Sequence, residues 1–274
     1  MRRAVKTAIA PSGSVYRANC PARLIKSLRH TSNLLTPLQS KHFHTIKMRV
    51  LLTGGSGFIA AHCIDILLQH GHSVVTTVRS QEKANKIKEA HSGVGKDKLD
   101  FAIVEDIAQP NAFDEAVKSD PPFEAVLHTA SPFHFKATDI QKELLDPAVI
   151  GTTGILKSIK KSAPTVKRVV ITSSFAAIVD ASKGDWPEHT YSEKDWNPIT
   201  HEQALQNAGF GYRASKTFAE KAAWEFVEKE KPNFTIATIN PPLVFGPVVR
   251  VVKCLSCVHP LTLPRFTIST HFRR

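Results

Sequence analysis

Tyr212-Arg213-Ala214-Ser215-Lys216 sets a phenol and an ammonium group four residues apart. On a helix that spacing stacks the two side chains on one face. A phenol ordinarily titrates at about pH 10, too high for easy proton transfer at neutral pH, and a nearby cation lowers that value by favouring the ionised form. The pair is therefore a candidate general acid with its electrostatic partner. Taken alone, it fits an ordinary i,i+4 surface contact equally well. Its place in the chain gives it weight, because Ser173-Ser174 follows a strand-like run 38 residues earlier and a glycine-rich turn precedes both.

That turn reads Thr53-Gly54-Gly55-Ser56-Gly57-Phe58-Ile59-Ala60. Glycine at 54 permits a tight turn, glycine at 57 lets backbone approach a pyrophosphate, and the small residue at 60 lets a helix pack closely on a sheet. Gly54, Ser56, Gly57, Phe58 and Ile59 are the candidate phosphate-facing residues, since a helix amino terminus offers free N–H groups and partial positive charge. A glycine-rich turn without a ligand has the same letters, so the reading depends on a strand before the turn and a helix after it.

Three further strand ends supply the rest of a nucleotide site. The second ends Thr76-Thr77-Val78-Arg79-Ser80-Gln81, with no carboxylate until Glu82 and with Lys83 close by. A carboxylate there would grip both ribose hydroxyls of NAD. A guanidinium at Arg79, with Lys83, instead suits the 2′-phosphate of NADP, unless Arg79 is simply a solvated strand-end charge. The third ends at Glu105-Asp106-Ile107, where Asp106 and Ile107 would border an adenine. The fourth ends at His128-Thr129-Ala130-Ser131-Pro132, where Thr129, Ala130 and Ser131 leave room beside a nicotinamide ribose. His128 reads as a packed strand residue rather than an acid or base.

Placing these groups together needs parallel strands that end where the motifs begin. Strand-like runs at 49–53, 73–78, 99–104, 124–129, 167–172 and 234–239 alternate with helix-length segments at 57–70, 81–91, 111–119, 141–162 and 212–231. The helical segments carry apolar residues at roughly helical spacing. The pattern predicts a doubly wound α/β fold, with a parallel sheet covered on both faces. Gly71, Pro164 and Pro232 stand where helices should stop.

Composition limits the alternatives. A chain of 274 residues with 42% hydrophobic and 22% charged residues excludes a peptide hormone, a coiled coil and a disordered tail. The longest apolar stretches, such as 168–179, fall short of the roughly 18 residues of a membrane span. Cys20, Cys63, Cys254 and Cys257 are too unevenly spaced for a disulfide framework, so reduced thiols in an intracellular compartment are expected. The net charge of +12 is concentrated at the ends, with nine basic and no acidic residues in 1–47 and five and none in 248–274. The remaining 48–247 holds 22 basic against 24 acidic residues, and no nucleic-acid partner is expected. Cys254-x-x-Cys257 with His259 lacks a second ligand pair, and no metal is expected.

Residues 1–47 are rich in Arg, Lys, Ser and Thr and include an amphipathic stretch at 24–29. They read either as a mitochondrial transit peptide or as an artefact of gene prediction, with Met48 opening the first strand. The expected location is cytoplasmic, or the mitochondrial matrix if 1–47 is translated.

From Met48 to about Pro247 the sequence resembles the short-chain dehydrogenase/reductase family, in its extended branch, the NAD-dependent epimerase/dehydratase superfamily. It is most like fungal ketone and methylglyoxal reductases and plant dihydroflavonol and cinnamoyl-CoA reductases. Beyond the glycine turn, the likeness rests on Arg79 to Lys83, His128 to Phe133, Val170 to Ser174, Tyr212 to Lys216, Ala219 to Trp224 and Asn240 to Pro247. It implies a Rossmann domain over 48–247 that binds NADPH, with Ser174, Tyr212 and Lys216 as a catalytic triad. It also implies that Pro241 to Val244 border the nicotinamide, and it selects Ser174 over Ser173. Tyr212 would then act as general acid in reducing an aldehyde or ketone. Small carbonyl compounds would be the substrates, and the helices at 141–162 and 212–231 would pair two copies in a homodimer.

After Pro247 the family pattern stops, and 248–274 resembles nothing in the family. Read-through into an intron, or a frame change, would give such a tail and would leave most of the C-terminal substrate lobe missing. Two alternatives therefore stand beside the reductase: a catalytically impaired dinucleotide-binding protein, and a nucleotide-sugar epimerase or dehydratase.

Overall fold

Branched and aromatic side chains favour extended backbone, and the six runs rich in them become strands β1 (Arg49–Thr53), β2 (Ser73–Val78), β3 (Leu99–Ile103), β4 (Ala125–His128), β5 (Arg168–Thr172) and β6 (Thr235–Ile239). A computed structural model describes residues 47–131 and 137–247, together with the backbone of 272–273. The six strands run parallel in the order β3-β2-β1-β4-β5-β6, and a short β7 (Phe272–Arg273) pairs antiparallel with β6. The chain winds outward from β1 to β3, then returns to the other side of β1 with β4. The resulting switch point lies between the carboxyl ends of β1 and β4, the place where open α/β sheets bind ligands. Thr53 pairs with His128, and His128 with Ile171, so these strand ends are level.

Helices α1 (Phe58–Gln69), α2 (Gln81–Ala90), α3 (Asp146–Ser162), α4 (His201–Ala204) and α5 (Ala208–Glu230) follow in order. Leu51 and Leu52 are both fully buried and face opposite sides of the sheet. Leu52 joins Val74, Ile64, Ile87 and Leu99 beneath α1 and α2. Leu51 joins Val126, Val169, Ile155, Ile159 and Phe226 beneath α3 and α5. A strand buried on both faces explains why its sequence is continuously apolar.

Three helical expectations change. Residues 111–119 do not form an α-helix: Asn111 takes a left-handed φ of 60° and a series of turns follows. The spacing of Phe113, Ala116 and Val117 needs only one turn to face inward, and all three are buried. The segment at 141–162 begins with a wide π-turn, Gln141–Leu145, in which the Asp146 N–H bonds to the Gln141 carbonyl. Pro147 follows at once and has no N–H to continue an α-helical ladder. Helix α5 starts at Ala208, four residues before the expected 212, because Asn207 caps it by accepting from the Phe210 N–H at 2.9 Å. Tyr212 therefore lies beyond the helix's first turn.

No helix among the described residues is long and apolar enough to cross a membrane. Most of 1–47 and most of 248–274, with Cys254, Cys257 and His259, lie outside the described residues, as do Pro132 and Phe133.

Candidate active site

Thr53 organises the switch point. Its hydroxyl oxygen accepts the backbone N–H groups of Thr129 and Ala130, each at 3.1 Å, and its carbonyl accepts the Thr129 hydroxyl at 2.6 Å. Next along the chain, Gly54 N–H donates to Thr77 Oγ1 at 3.1 Å and Gly55 N–H to the Thr77 carbonyl at 2.9 Å. The glycine turn is thus tied to β4 on one side and β2 on the other. Gly54 has φ +77°, and a Cβ there would lie 3.0 Å from Ala130 Cα. A Cβ on Gly55 would lie 2.2 Å from Thr76 Oγ1. Both positions require glycine, the first for conformation and contact, the second for contact alone.

Gly57 N–H closes the turn on the Gly54 carbonyl at 2.8 Å, and Gly57 then stands as the exposed N-cap of α1. No side chain caps α1, and its first turn holds no acidic residue. The half-buried Ser56, Phe58 and Ile59 surround that open end. The segment after β6 reaches the same region at Gly246 and Pro247. A Cβ on Gly246 would touch the Phe58 ring at 3.7 Å, and His62 Nε2 bonds the Pro247 carbonyl at 3.1 Å. Pro241 is half-buried and Val244 exposed.

Along the other strand ends, Arg79 is exposed and has no carboxylate partner among the described residues. Glu82, the next acid along the chain, is paired with Lys86. Ser80 caps α2 through the Lys83 N–H, which keeps Lys83 one turn from Arg79. Asp106 is exposed and accepts from Ala108 N–H at 2.8 Å and Gln109 Nε2 at 3.1 Å. Ile107 packs on α3 at Gly151, where a Cβ would lie 2.9 Å from Ile107 Cδ1. The open helix end after a tight glycine turn and the unpaired guanidinium at the end of β2 fit a phosphorylated dinucleotide.

His128 is 2% exposed, and its Nδ1 lies 2.9 Å from Thr53 Oγ1. That oxygen already accepts two backbone donors, so its own hydrogen goes to His128. Nδ1 is then the acceptor, and the neutral ring carries its proton on Nε2, which is buried without a partner. Burial first, and the charge of Lys216 second, push the His128 pKa down from 6.5 to about 3. Burial likewise lowers the Lys216 pKa to about 8. His128, Ala130, Ser131, Ser173, Lys216 and Glu220 are among the residues lining a cavity of about 10 Å³, room for about one water.

Helix α5 carries Tyr212 half-buried and Lys216 buried, with Lys216 Nζ 5.8 Å from the centre of the Tyr212 ring. The same helix packs against the 3₁₀ turn Phe175–Ala177 that Ser174 caps. Ser174 Oγ accepts from Ala176 N–H at 3.1 Å, which leaves its hydroxyl hydrogen free to donate. Ser173 Oγ instead donates inward to the buried Glu220. The two adjacent serines therefore point their hydroxyls to different tasks.

Thr53, Thr77, Glu220 and Asn240 lie within the motifs read from the sequence but were given no role there. Glu220 had a signal: a carboxylate flanked by Ala219, Ala223 and Phe226 on the apolar side of an amphipathic helix. The threonines had none, since their partners are distant in sequence.

The sequence profile of the NAD dependent epimerase/dehydratase family matches residues 50–256. The chain is 48% identical to ketoreductase azaE of Aspergillus niger, covering 78% of this chain and 62% of that protein. It is 45% identical to the NADPH-dependent methylglyoxal reductase GRE2 of Saccharomyces cerevisiae, over 73% of this chain and 59% of that one. The crystal structure of yeast methylglyoxal/isovaleraldehyde reductase Gre2 complexed with NADPH superposes with a TM-score of 0.70 at 44% identity, again over 73% and 59% of the two chains. The chain spans about 60% of the length of the curated relatives it matches.

Proposed function

Because the chain belongs to the NAD dependent epimerase/dehydratase family, we propose that it is an oxidoreductase that uses NADPH to reduce an aldehyde or ketone to an alcohol. One observation carries the reading. A buried lysine, which lines the cavity at the carboxyl ends of β4 and β5, shares a face of α5 with a tyrosine one turn earlier. The NADPH-dependent reductases among its relatives support the cofactor, and the unpaired Arg79 supports a 2′-phosphate over a bare ribose.

Bound NADPH supplies the hydride. Ser174 directs its hydroxyl hydrogen to the carbonyl oxygen and stabilises the charge that grows there. Tyr212 donates the proton that completes the alcohol. Lys216, still cationic at neutral pH, favours the tyrosinate left behind and hydrogen-bonds the ribose on the nicotinamide side. Gly54, Ser56, Gly57, Phe58 and Ile59 surround the pyrophosphate, with Arg79 and Lys83 at the 2′-phosphate. Asp106 and Ile107 border the adenine, Thr129, Ala130 and Ser131 the nicotinamide ribose, and Pro241 and Val244 the nicotinamide. The substrates are small carbonyl compounds, and α3 with α5 forms the face on which two copies pair.

Replacing Tyr212 with Phe tests the reading. Turnover of NADPH with a carbonyl compound should fall by about 10²-fold or more with nucleotide affinity preserved, the size expected for loss of a general acid. Equal turnover in the two purified proteins refutes the assignment.

A further inference from the structure

Glu220 is 1% exposed and sits two turns beyond Tyr212 and one beyond Lys216, on the same face of α5. Its carboxylate reaches two strand ends at once. One oxygen accepts from Ser173 Oγ and from Asn240 Nδ2, the latter at 2.7 Å, and the other accepts from Thr238 Oγ1 at 3.0 Å. Asn240 uses the same amide nitrogen to donate to the Ser174 carbonyl at 3.1 Å. Ser174 is therefore held twice, through the side chain of the residue before it and through its own carbonyl. Phe175 N–H, bonded to the Pro241 carbonyl at 2.9 Å, ties the same turn to the segment after β6.

We propose that Glu220 is a positioning residue, which locks the serine turn to the helix that carries Tyr212 and Lys216. A buried carboxylate is costly unless its oxygens are hydrogen-bonded. Neutral donors from the ends of β5 and β6 supply those bonds here. An apolar side chain in the same place would fill space but would tolerate sliding between helix and strand end. Directional hydrogen bonds do not tolerate it. Through them the spacing between the Ser174 hydroxyl and the Tyr212–Lys216 face is fixed by a buried group one turn beyond Lys216.

The kinetic consequence rests on the reductase reading, whereas the structural lock does not, and two measurements on the full chain keep them apart. In hydrogen–deuterium exchange, Glu220→Gln exchanges one acceptor oxygen for an NH₂ group facing donors. The Ala176 and Ala177 amides, which bond to Ser174, should then exchange about tenfold faster or more, while amides in the middle of α5 stay within about twofold. In the second measurement, the variant should lower kcat by about tenfold or more with KM for NADPH unchanged. Glu220→Asp, which keeps both acceptors on a shorter stem, should recover part of that loss.

Unchanged exchange at Ala176 and Ala177, or faster exchange spread evenly over the whole domain, overturns the proposal. A fall in kcat matched by an equal loss of NADPH affinity overturns it as well. If the parent protein turns over no carbonyl compound, the reductase reading fails, and the exchange pattern still decides the role of Glu220. Should Glu220→Gln not fold, Ser173→Ala removes only one of the three donors and must give the same local acceleration.

Discussion

Lys216 offers a perturbation whose size can be worked out beforehand. Its side chain is buried, and burial moves its pKa from 10.5 to about 8. That displacement corresponds to about 3 kcal/mol, at about 1.4 kcal/mol for each pH unit. The sign follows from proton counting. Between pH 8 and 10.5 the folded chain has released a proton that the unfolded chain still holds, so this group makes stability rise with pH across that window. Below pH 8 the full cost of burying the cation is present, and above 10.5 it is gone. Lys216→Met keeps a long side chain and removes the charge. Urea unfolding of parent and variant, followed by circular dichroism across the window, cancels in the difference the contributions of groups that do not interact with Lys216. The variant's stability advantage should be larger at pH 8 than at pH 10.5 by about 3 kcal/mol. Parallel stability curves would refute the claim that this ammonium is desolvated, and with it the account of how it acts on Tyr212.

Two other perturbations address the same site. His128, held at about 3 against an ordinary 6.5, stays neutral in the folded chain while the unfolded chain takes up a proton, so stability is lost as pH falls from 6.5 towards 3. His128→Gln should lower the midpoint of acid unfolding, the parent's loss amounting to at most about 5 kcal/mol; identical midpoints would contradict the burial argument. Gly54→Ala combines a left-handed backbone with a Cβ 3.0 Å from Ala130 Cα. Chemical denaturation should show a cost of about 2 kcal/mol and calorimetry a weaker uptake of NADPH, whereas neutrality in both would mean that the turn has room to spare.

What was legible in the sequence was whatever is encoded locally. A β-branched run ending in a glycine turn or a serine pair marks both a strand and the functional group at its end, and each of the six parallel strands lies within a residue of its expected bounds. Residues 111–119 failed because three apolar positions at helical spacing serve one turn as well as a helix. The start of α5 lies earlier than expected because Asn207, a strong N-cap residue, stands five residues before the Tyr212 motif. Glu220 and Ser173 are 47 positions apart, and Thr53 and His128 are 75 apart. Such pairs follow from strand order and register, which no local pattern carries. For this reason the strand ends and the turns that follow them were readable while the hydrogen bonds that tie them together were not.

The central proposal is that a phosphorylated nicotinamide nucleotide lies across the switch point. Isothermal titration calorimetry of the folded chain with NADPH and with NADH, in parent and in Arg79→Ala, tests that most directly. The parent should bind NADPH about tenfold or more tightly than NADH, and the variant should lose most of that preference, as expected for a charge-assisted contact to one phosphate. No heat of binding with either nucleotide, from protein that unfolds cooperatively, would contradict the account at its base.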